Sequence, residues 1–448
     1  MNIYKLLLSI FIKGQSELIA LTLIKGRVNI LSLFLSKEII MLNIKDENVI
    51  LYNYFTHKII KTNIEVNNYL KYLKQKYNNS AINEEDPKIV KFINSKALHT
   101  LEKNTFFYRD KEQYKMLDFA DAIKSLDYNV KINEVYFHVT QRCNFNCTYC
   151  YNRDNLQSLN DLNFKEVCDI IDKLKAISVR AIVLTGGEPL LRKDIVDIAK
   201  YIHLKGIACV LLTNGSLLHD NYEILNYVDT VIISLDDINT NKNSKQRLNS
   251  DKFDIINNLE NIPVQFKNKV VVRSVITKGQ EDFVQINKEY ITKNLGLNYT
   301  NVPFLPNCKD DVKNIPDYLK LIDYDEAKPF KQTRCGACLR ELAINANGDM
   351  YPCQTFIKPE FKIGNITEEE WLDNIRSSSV TNCFMNLTIL DVKGCNECNF
   401  KYLCGGGCRA LSYNVYNNLN SKLEFMCQYL KEIALARVNK IEFQEVDL

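Results

Sequence analysis

Cys143-Asn144-Phe145-Asn146-Cys147-Thr148-Tyr149-Cys150 places three thiols within eight residues, and the reading of the chain turns on that number. A structural zinc site takes four protein ligands, and an ordinary four-iron cluster also takes four cysteines. Three cysteines on one tight loop leave one iron without a protein ligand, open to a small molecule. Upstream, Glu134 to Thr140 is short, β-branched and aromatic, so it reads as a strand feeding the loop. Downstream, Asn163 to Ala176 carries Phe164, Val167, Cys168, Ile171 and Leu174 at helical spacing, with Asn163 and Glu166 as its cap. A second apolar strand, Ala181 to Thr185, then runs into Gly186-Gly187-Glu188-Pro189, where glycines let backbone approach a ligand.

The same period continues. Leu191 to Leu204 reads as an amphipathic helix stopped by Gly206. Strands are expected at Ala208 to Leu212, Thr230 to Leu235, Lys269 to Ile276 and Asn298 to Phe304. Strands alternating with helices imply parallel βα units of the α/β class, with ligand residues at the carboxyl ends of the strands. The CxxxCxxC spacing, with aromatic Tyr149 before the last cysteine, resembles the radical S-adenosylmethionine (SAM) superfamily.

That resemblance implies a partial (β/α)6 barrel over residues 131–310. It also implies a [4Fe-4S] cluster on Cys143, Cys147 and Cys150 whose open iron is chelated by SAM. Gly186-Gly187-Glu188 matches the family's SAM-methionine motif, in which strand-end backbone and Glu188 bind the ammonium group. Asn214, Ser234 and Asp236 stand where the family contacts the SAM ribose and carboxylate, and Tyr149 is counted with them. Arg247 and Arg273 are further carboxylate candidates, although an arginine in a loop or strand is more often a solvated salt-bridge partner.

Beyond about residue 330 lies a second group: Cys335, Cys338, Cys353, Cys395, Cys398, Cys404, Cys408 and Cys427. The middle run Cys395 to Cys408 has the spacing C-x2-C-x5-C-x3-C, with Gly405, Gly406 and Gly407 filling the last gap. Eight thiolates match two four-iron clusters with no open site; a pair of zinc sites is the alternative. The pattern resembles the SPASM extension of radical SAM enzymes that modify peptides and proteins. The resemblance assigns Cys335, Cys338, Cys353 and Cys408 to one auxiliary [4Fe-4S] cluster and Cys395, Cys398, Cys404 and Cys427 to the other. Of the remaining cysteines, Cys168 and Cys209 read as packing residues. Cys308 and Cys383 have no companion at ligand spacing.

The full chain has 448 residues, room for two or three domains, and 46% apolar content supports real cores. A net charge of +3 argues against a dedicated nucleic-acid binder. Eleven of the fifteen cysteines stand at ligand spacings, which points to a reducing, cytoplasmic setting rather than to disulfides. The apolar run Leu6 to Ile12 is interrupted by Lys13 and too short to span a bilayer, so no membrane association is expected.

Within residues 1–100, strands are expected at Leu18 to Ile24, Asn29 to Leu35, Glu38 to Ile44, Val49 to Phe55 and Lys58 to Thr62. Helices are expected at Glu65 to Tyr77 and Pro87 to Leu101. This order resembles the winged-helix-like precursor-recognition domain of ribosomal-peptide maturases, in which an extended leader adds to a sheet edge; a structural cap on the barrel is the alternative. Residues 101–130 read as a connector, and 325–448 as the SPASM domain with a C-terminal helix.

The resemblance as a whole implies a radical SAM peptide maturase served by a reductant such as flavodoxin or ferredoxin. Electron transfer into bound SAM would yield a 5′-deoxyadenosyl radical, and a thioether in a cysteine-rich precursor peptide is the expected product. A carbon–carbon crosslinking maturase shares every motif quoted. An anaerobic sulfatase-maturing enzyme shares both cysteine groups, but that family carries an acidic base where this chain has Gln354. A non-catalytic iron-sulfur electron-transfer scaffold would need neither the Gly-Gly-Glu turn nor an open three-cysteine site.

Overall fold

The computed structural model describes residues 33–36, 39–43, 49–53, 58–77, 80–109, 130–157, 160–239, 243, 245–321, 333–439 and 444–446. Two compact units are present: Met1–Ile39, Asn43–Asp118 and Glu445–Leu448 form one, Ile40–Leu42 and Phe119–Gln444 the other.

The expected strand at Leu18 to Ile24 lies outside the described residues. Strands β1 (Phe34–Leu35), β2 (Ile39–Asn43), β3 (Val49–Asn53) and β4 (Lys58–Thr62) follow. β3 and β4 pair antiparallel from Val49↔Thr62 to Asn53↔Lys58. Helix α1 (Ile64–Lys76) starts where the Asn63 side chain accepts from the Val66 N–H at 3.0 Å, and it buries Val66, Leu70 and Leu73 on one stripe. The single helix expected over Pro87 to Leu101 is two, α2 (Val90–Ile93) and α3 (Lys96–Lys103). Ser95 is the reason: its hydroxyl accepts from the Leu98 N–H and caps a new start. Part of the expected connector is ordered as β5 (Phe107–Tyr108), which pairs with β1; residues 110–129 lie outside the described residues.

The second unit opens with β6 (Glu134–Thr140), the short β7 (Asn146–Cys147) and α4 (Phe164–Ala176), whose start is a reciprocal capping box between Asn163 and Glu166. Then come β8 (Ala181–Gly186), α5 (Ile195–Leu204), β9 (Ala208–Thr213), β10 (Thr230–Ser234) and β11 (Arg247–Leu248). α6 (Ile255–Glu260), β12 (Val270–Ile276), α7 (Phe283–Glu289) and β13 (Asn298–Pro303) complete the βα run. The helix expected from Leu191 begins later because Glu188 caps a separate short turn, Pro189–Leu191. In β12, buried Val270, Val272, Ser274 and Ile276 alternate with half-buried Val271, Arg273 and Val275, giving the strand two distinct faces. α4 packs through Val167, Ile170, Ile171 and Leu174, and α5 through Ile195, Ile198, Ala199 and Ile202. In both, apolar residues three and four apart share one stripe.

The C-terminal region adds β14 (Glu341–Ile344), β15 (Asp349–Tyr351), β16 (Gly364–Asn365), α8 (Trp371–Ser377), α9 (Ser379–Asn386), α10 (Lys401–Cys404), α11 (Arg409–Tyr416) and α12 (Cys427–Asn439). One nine-stranded sheet runs in the order β13-β12-β10-β9-β8-β6-β14-β15-β16. Pairing is parallel from β13 through β14, and β14 extends the sheet at β6 in the register Glu341↔Glu134 to Ile344↔Phe137. The fold is therefore α/β, six successive parallel strands of a partial barrel whose first strand continues directly into the second cysteine region. Loops there are anchored by Phe356, Phe361, Phe384 and Tyr413, with ring centroids 4.5 Å apart for Phe356–Phe361 and 4.8 Å for Phe361–Tyr413.

Candidate active site

The three-cysteine loop leaves the carboxyl end of β6 and packs against the carboxyl end of β8. Gly187 N–H donates to the Thr140 carbonyl at 2.9 Å, and Glu188 N–H donates to the Arg142 carbonyl at 2.8 Å. An added Cβ at Gly186 would overlap the Thr140 carbonyl oxygen, and one at Gly187 that of Arg142; Gly186 also holds φ at 133°. The glycines are thus required by close backbone approach. Burial pushes the Cys143 thiol up to about 12 and the Cys150 thiol up to about 11, and the thiols of Cys143, Cys147 and Cys150 act on one another electrostatically.

Glu188 is 1% exposed. Its carboxylate accepts from the Leu190 N–H, the Thr213 hydroxyl and the Asn214 N–H at 3.0, 2.7 and 2.7 Å, so it ties the Gly-Gly-Glu turn to the end of β9. Burial raises its pKa to about 7 against the pull of those hydrogen bonds. Asn214 reaches back to the cysteine loop, its amide donating to the Asn144 side-chain carbonyl at 2.8 Å.

Asp236, just past the end of β10, organises the opposite side. Its carboxylate accepts from Arg247 Nη2 at 3.0 Å, from the Val275 N–H at 3.0 Å and from the Tyr149 hydroxyl. Arg247 lies 5.4 Å from the Tyr149 ring centroid, and β11 pairs with β7 so that Arg247 stands opposite Cys147. Arg247 and Asp236 are therefore brought together with Tyr149 and the cysteine loop as a buried ion pair, not as solvated side chains. Ser234 is half-buried on β10 with Arg273 as its register partner on β12. Arg273 makes no hydrogen bond through Nε, and burial lowers its pKa; it does not join the Asp236–Arg247 pair.

Sequence reasoning passed over four amides. Gln141 is buried, and its amide nitrogen donates to the Asn345 side chain, while its carbonyl accepts from Asn152 at 2.6 Å. Asn152 also reaches the Gly186 carbonyl at 3.3 Å. This chain links the cysteine loop, β8 and the turn after β14. Asn307 donates to the carbonyls of Tyr149 and Cys150 at 3.4 and 3.3 Å. Isolated amides carry no spacing signal; only Gln141 and Asn152, flanking the three cysteines, could have drawn notice.

The later thiols fall into two sets by their mutual electrostatics. Cys335 interacts with Cys408, Cys353 with Cys408 and Cys335, and Cys338 with Cys335. Cys395 interacts with Cys404, Cys398 and Cys427, and Cys404 with Cys398 and Cys427. Cys383, read as solitary, neighbours Cys338. Cys209 is buried in β9, whereas Cys168 is only half-buried and Cys308 is exposed. Glu341 stands beside the first set, raised to about 7 by burial and by Glu134 across the strand pair. Among the described residues no three donors are already closed around a point at metal-binding geometry. The donor chemistry nonetheless fits iron–sulfur ligation. Three thiols and two sets of four are gathered separately, with burial holding most of them neutral until a metal displaces their protons.

Comparison with known proteins finds a match within each of these two regions. Residues 137–284 match the radical SAM superfamily, and residues 335–399 match the SPASM iron-sulfur cluster-binding domain. The antilisterial bacteriocin subtilosin biosynthesis protein AlbA of Bacillus subtilis is 25% identical over 331 residues, 67% of this chain and 72% of AlbA. An S-adenosylmethionine-dependent nucleotide dehydratase of Selenomonas ruminantium is 32% identical over 172 residues, 35% of this chain and 61% of that protein. Among solved structures, anSMEcpe with bound AdoMet superposes with a TM-score of 0.54 at 16% identity, covering 69% of this chain and 97% of that one.

Proposed function

We propose that this chain, whose residues 137–284 match the radical SAM superfamily and residues 335–399 the SPASM domain, is a peptide maturase that installs a thioether crosslink in a cysteine-rich precursor peptide. The observation that carries the reading is the three-thiol loop against the Gly186–Gly187 turn, in a chain that gathers two further sets of four thiols. The similarity to AlbA, a bacteriocin biosynthesis protein, supports a peptide as substrate.

Cys143, Cys147 and Cys150 hold the SAM-binding [4Fe-4S] cluster, which when bound supplies the electron that cleaves SAM to a 5′-deoxyadenosyl radical. The backbone at Gly186 and Gly187 receives the methionine end of SAM. Asn214 beside that turn, and Ser234 and Asp236 at the end of β10, are its further contacts, with Arg247 holding Asp236 and Tyr149 in place. Cys335, Cys338, Cys353 and Cys408 hold one auxiliary [4Fe-4S] cluster, and Cys395, Cys398, Cys404 and Cys427 the other. The sheet and its helices orient the reactants and exclude water. Residues 1–100 bind the leader of the precursor, a flavodoxin or ferredoxin reduces the enzyme, and the reaction takes place in the cytoplasm. No described helix is long and apolar enough to cross a membrane.

The test is anaerobic turnover with a cysteine-rich peptide encoded beside this chain, followed by thiol alkylation and fragment mapping. A thioether removes about two mass units and leaves its cysteine inert to alkylation, since only a free thiolate is nucleophilic. Full alkylation of every cysteine in a peptide that has lost those two mass units would overturn the thioether and leave a carbon–carbon crosslink.

A further inference from the structure

The run Cys404-Gly405-Gly406-Gly407-Cys408 joins the two later thiol sets, and Arg409 follows it directly. Gly405, Gly406 and Gly407 all hold positive φ, at 68°, 75° and 80°, which turns the link back on itself. The Arg409 guanidinium lies in that turn. Nη2 donates to the Gly406 carbonyl and, at 3.3 Å, to that of Gly407; Nε also reaches the Gly407 carbonyl at 3.3 Å. Nη1 donates to the carbonyls of Leu419 at 2.8 Å and Ser421 at 3.3 Å. An added Cβ at Gly406 would sit 3.3 Å from Nη2 and overlap Ile389.

Arg409 is 3% exposed, and among the described residues it makes no ion pair with a carboxylate. The groups near enough to act on it once ionised are Cys335 and Cys408 from one set and Cys395 and Cys404 from the other. A buried cation is costly unless paired, and carbonyl dipoles offset only part of that cost. Arginine does not shed its proton to escape. The fold therefore keeps a fixed positive charge between two groups of thiols, each of which becomes anionic on ligating iron.

We propose that Arg409 is the shared counter-charge of the two auxiliary clusters and raises both of their reduction potentials together. The inference rests on the auxiliary-cluster reading above. Potentials of such clusters respond to net charge and burial. Taking up an electron adds negative charge, so a fixed cation between the clusters stabilises each reduced form more than its oxidised form. Arg409 is thus a positioning and tuning residue; it touches no substrate.

The experiment is an anaerobic redox titration of the reconstituted full chain, read by electron paramagnetic resonance, for wild type, Arg409→Gln and Arg409→Lys. With iron content equal to wild type, Arg409→Gln is expected to lower the reduction equilibrium constant of both auxiliary clusters about tenfold or more, about 59 mV for one electron. Arg409→Lys should restore most of the shift, and the cluster on Cys143, Cys147 and Cys150 should not move. A fully loaded Arg409→Gln with unchanged potentials, or a shift confined to one auxiliary cluster, overturns the proposal. If Arg409→Gln loses both clusters, Arg409→Lys decides: loading at wild-type potentials supports a need for charge, whereas equal loss shows that the side chain only packs. A wild-type chain that loads no auxiliary iron would instead refute the auxiliary-cluster reading itself.

Discussion

Cys143, Cys147 and Cys150 sit on one loop at the end of β6, pinned to β8 by two backbone hydrogen bonds and to β11 by a short strand pair. The eight later cysteines are instead gathered from loops and short helices between Cys335 and Cys427, interleaved so that Cys404 and Cys408 belong to different sets. On the proposed assignment of the clusters, the contrast follows from what each site must do. A cluster with an open iron needs its ligands beside the strand ends where a second molecule is received, so one rigid loop carries them all. Closed sites only need thiols to converge, and distant loops held by an aromatic cluster suffice.

Removing the compact group should have the largest effect. The triple change of Cys143, Cys147 and Cys150 to Ala is expected to remove about four of about twelve irons and to bring reductive SAM cleavage to background. Retained cleavage would break the contrast at its root, because the open site would have to lie elsewhere.

The dispersed group makes a subtler forecast. Cys404→Ala and Cys408→Ala alter residues four apart in sequence, yet each should cost about four irons from a different auxiliary cluster, and the double variant about eight. SAM cleavage without peptide should persist in all three. Iron losses that fail to add, or the same resonance missing from both single variants, would show that the two sets are wrongly divided.

Much of the first region was legible because local rules and tertiary demands agree there. The strand at Glu134 to Thr140, the capping box of α4 and the strand ending at Gly186 are each written in contiguous residues. Three features were not. β14 is a four-residue stretch, Glu-Leu-Ala-Ile, that gains its meaning only from pairing with β6. Glu188 is legible as part of the Gly-Gly-Glu turn, but no local pattern announces the hydrogen bonds it accepts from Thr213 and Asn214 at the end of β9. The Gln141–Asn152–Asn345 chain spans two hundred residues of sequence, and a buried amide has no periodicity to betray it. Arg409 shows the same limit, because its position after Cys408 was visible while its lack of a carboxylate partner was not.

The smallest effect sharpens how the two regions handle buried polar groups. Arg409 keeps its charge at any working pH, whereas His138 on β6 avoids one. It is wholly buried, neither ring nitrogen has a hydrogen-bond partner among the described residues, and burial lowers its pKa from 6.5 to about 3. The unfolded chain therefore binds a proton below about pH 6.5 that the folded chain refuses, so stability falls as pH drops through that window. The slope approaches about 1.4 kcal/mol per pH unit. His138→Gln should abolish this component. Between about pH 7.5 and about pH 5.5, denaturant unfolding of wild type should lose about 1.4 kcal/mol more stability than the variant does. Equal pH slopes for wild type and His138→Gln would mean that the imidazole takes up its proton in the folded protein, and that this strand tolerates a buried charge as readily as the glycine link does.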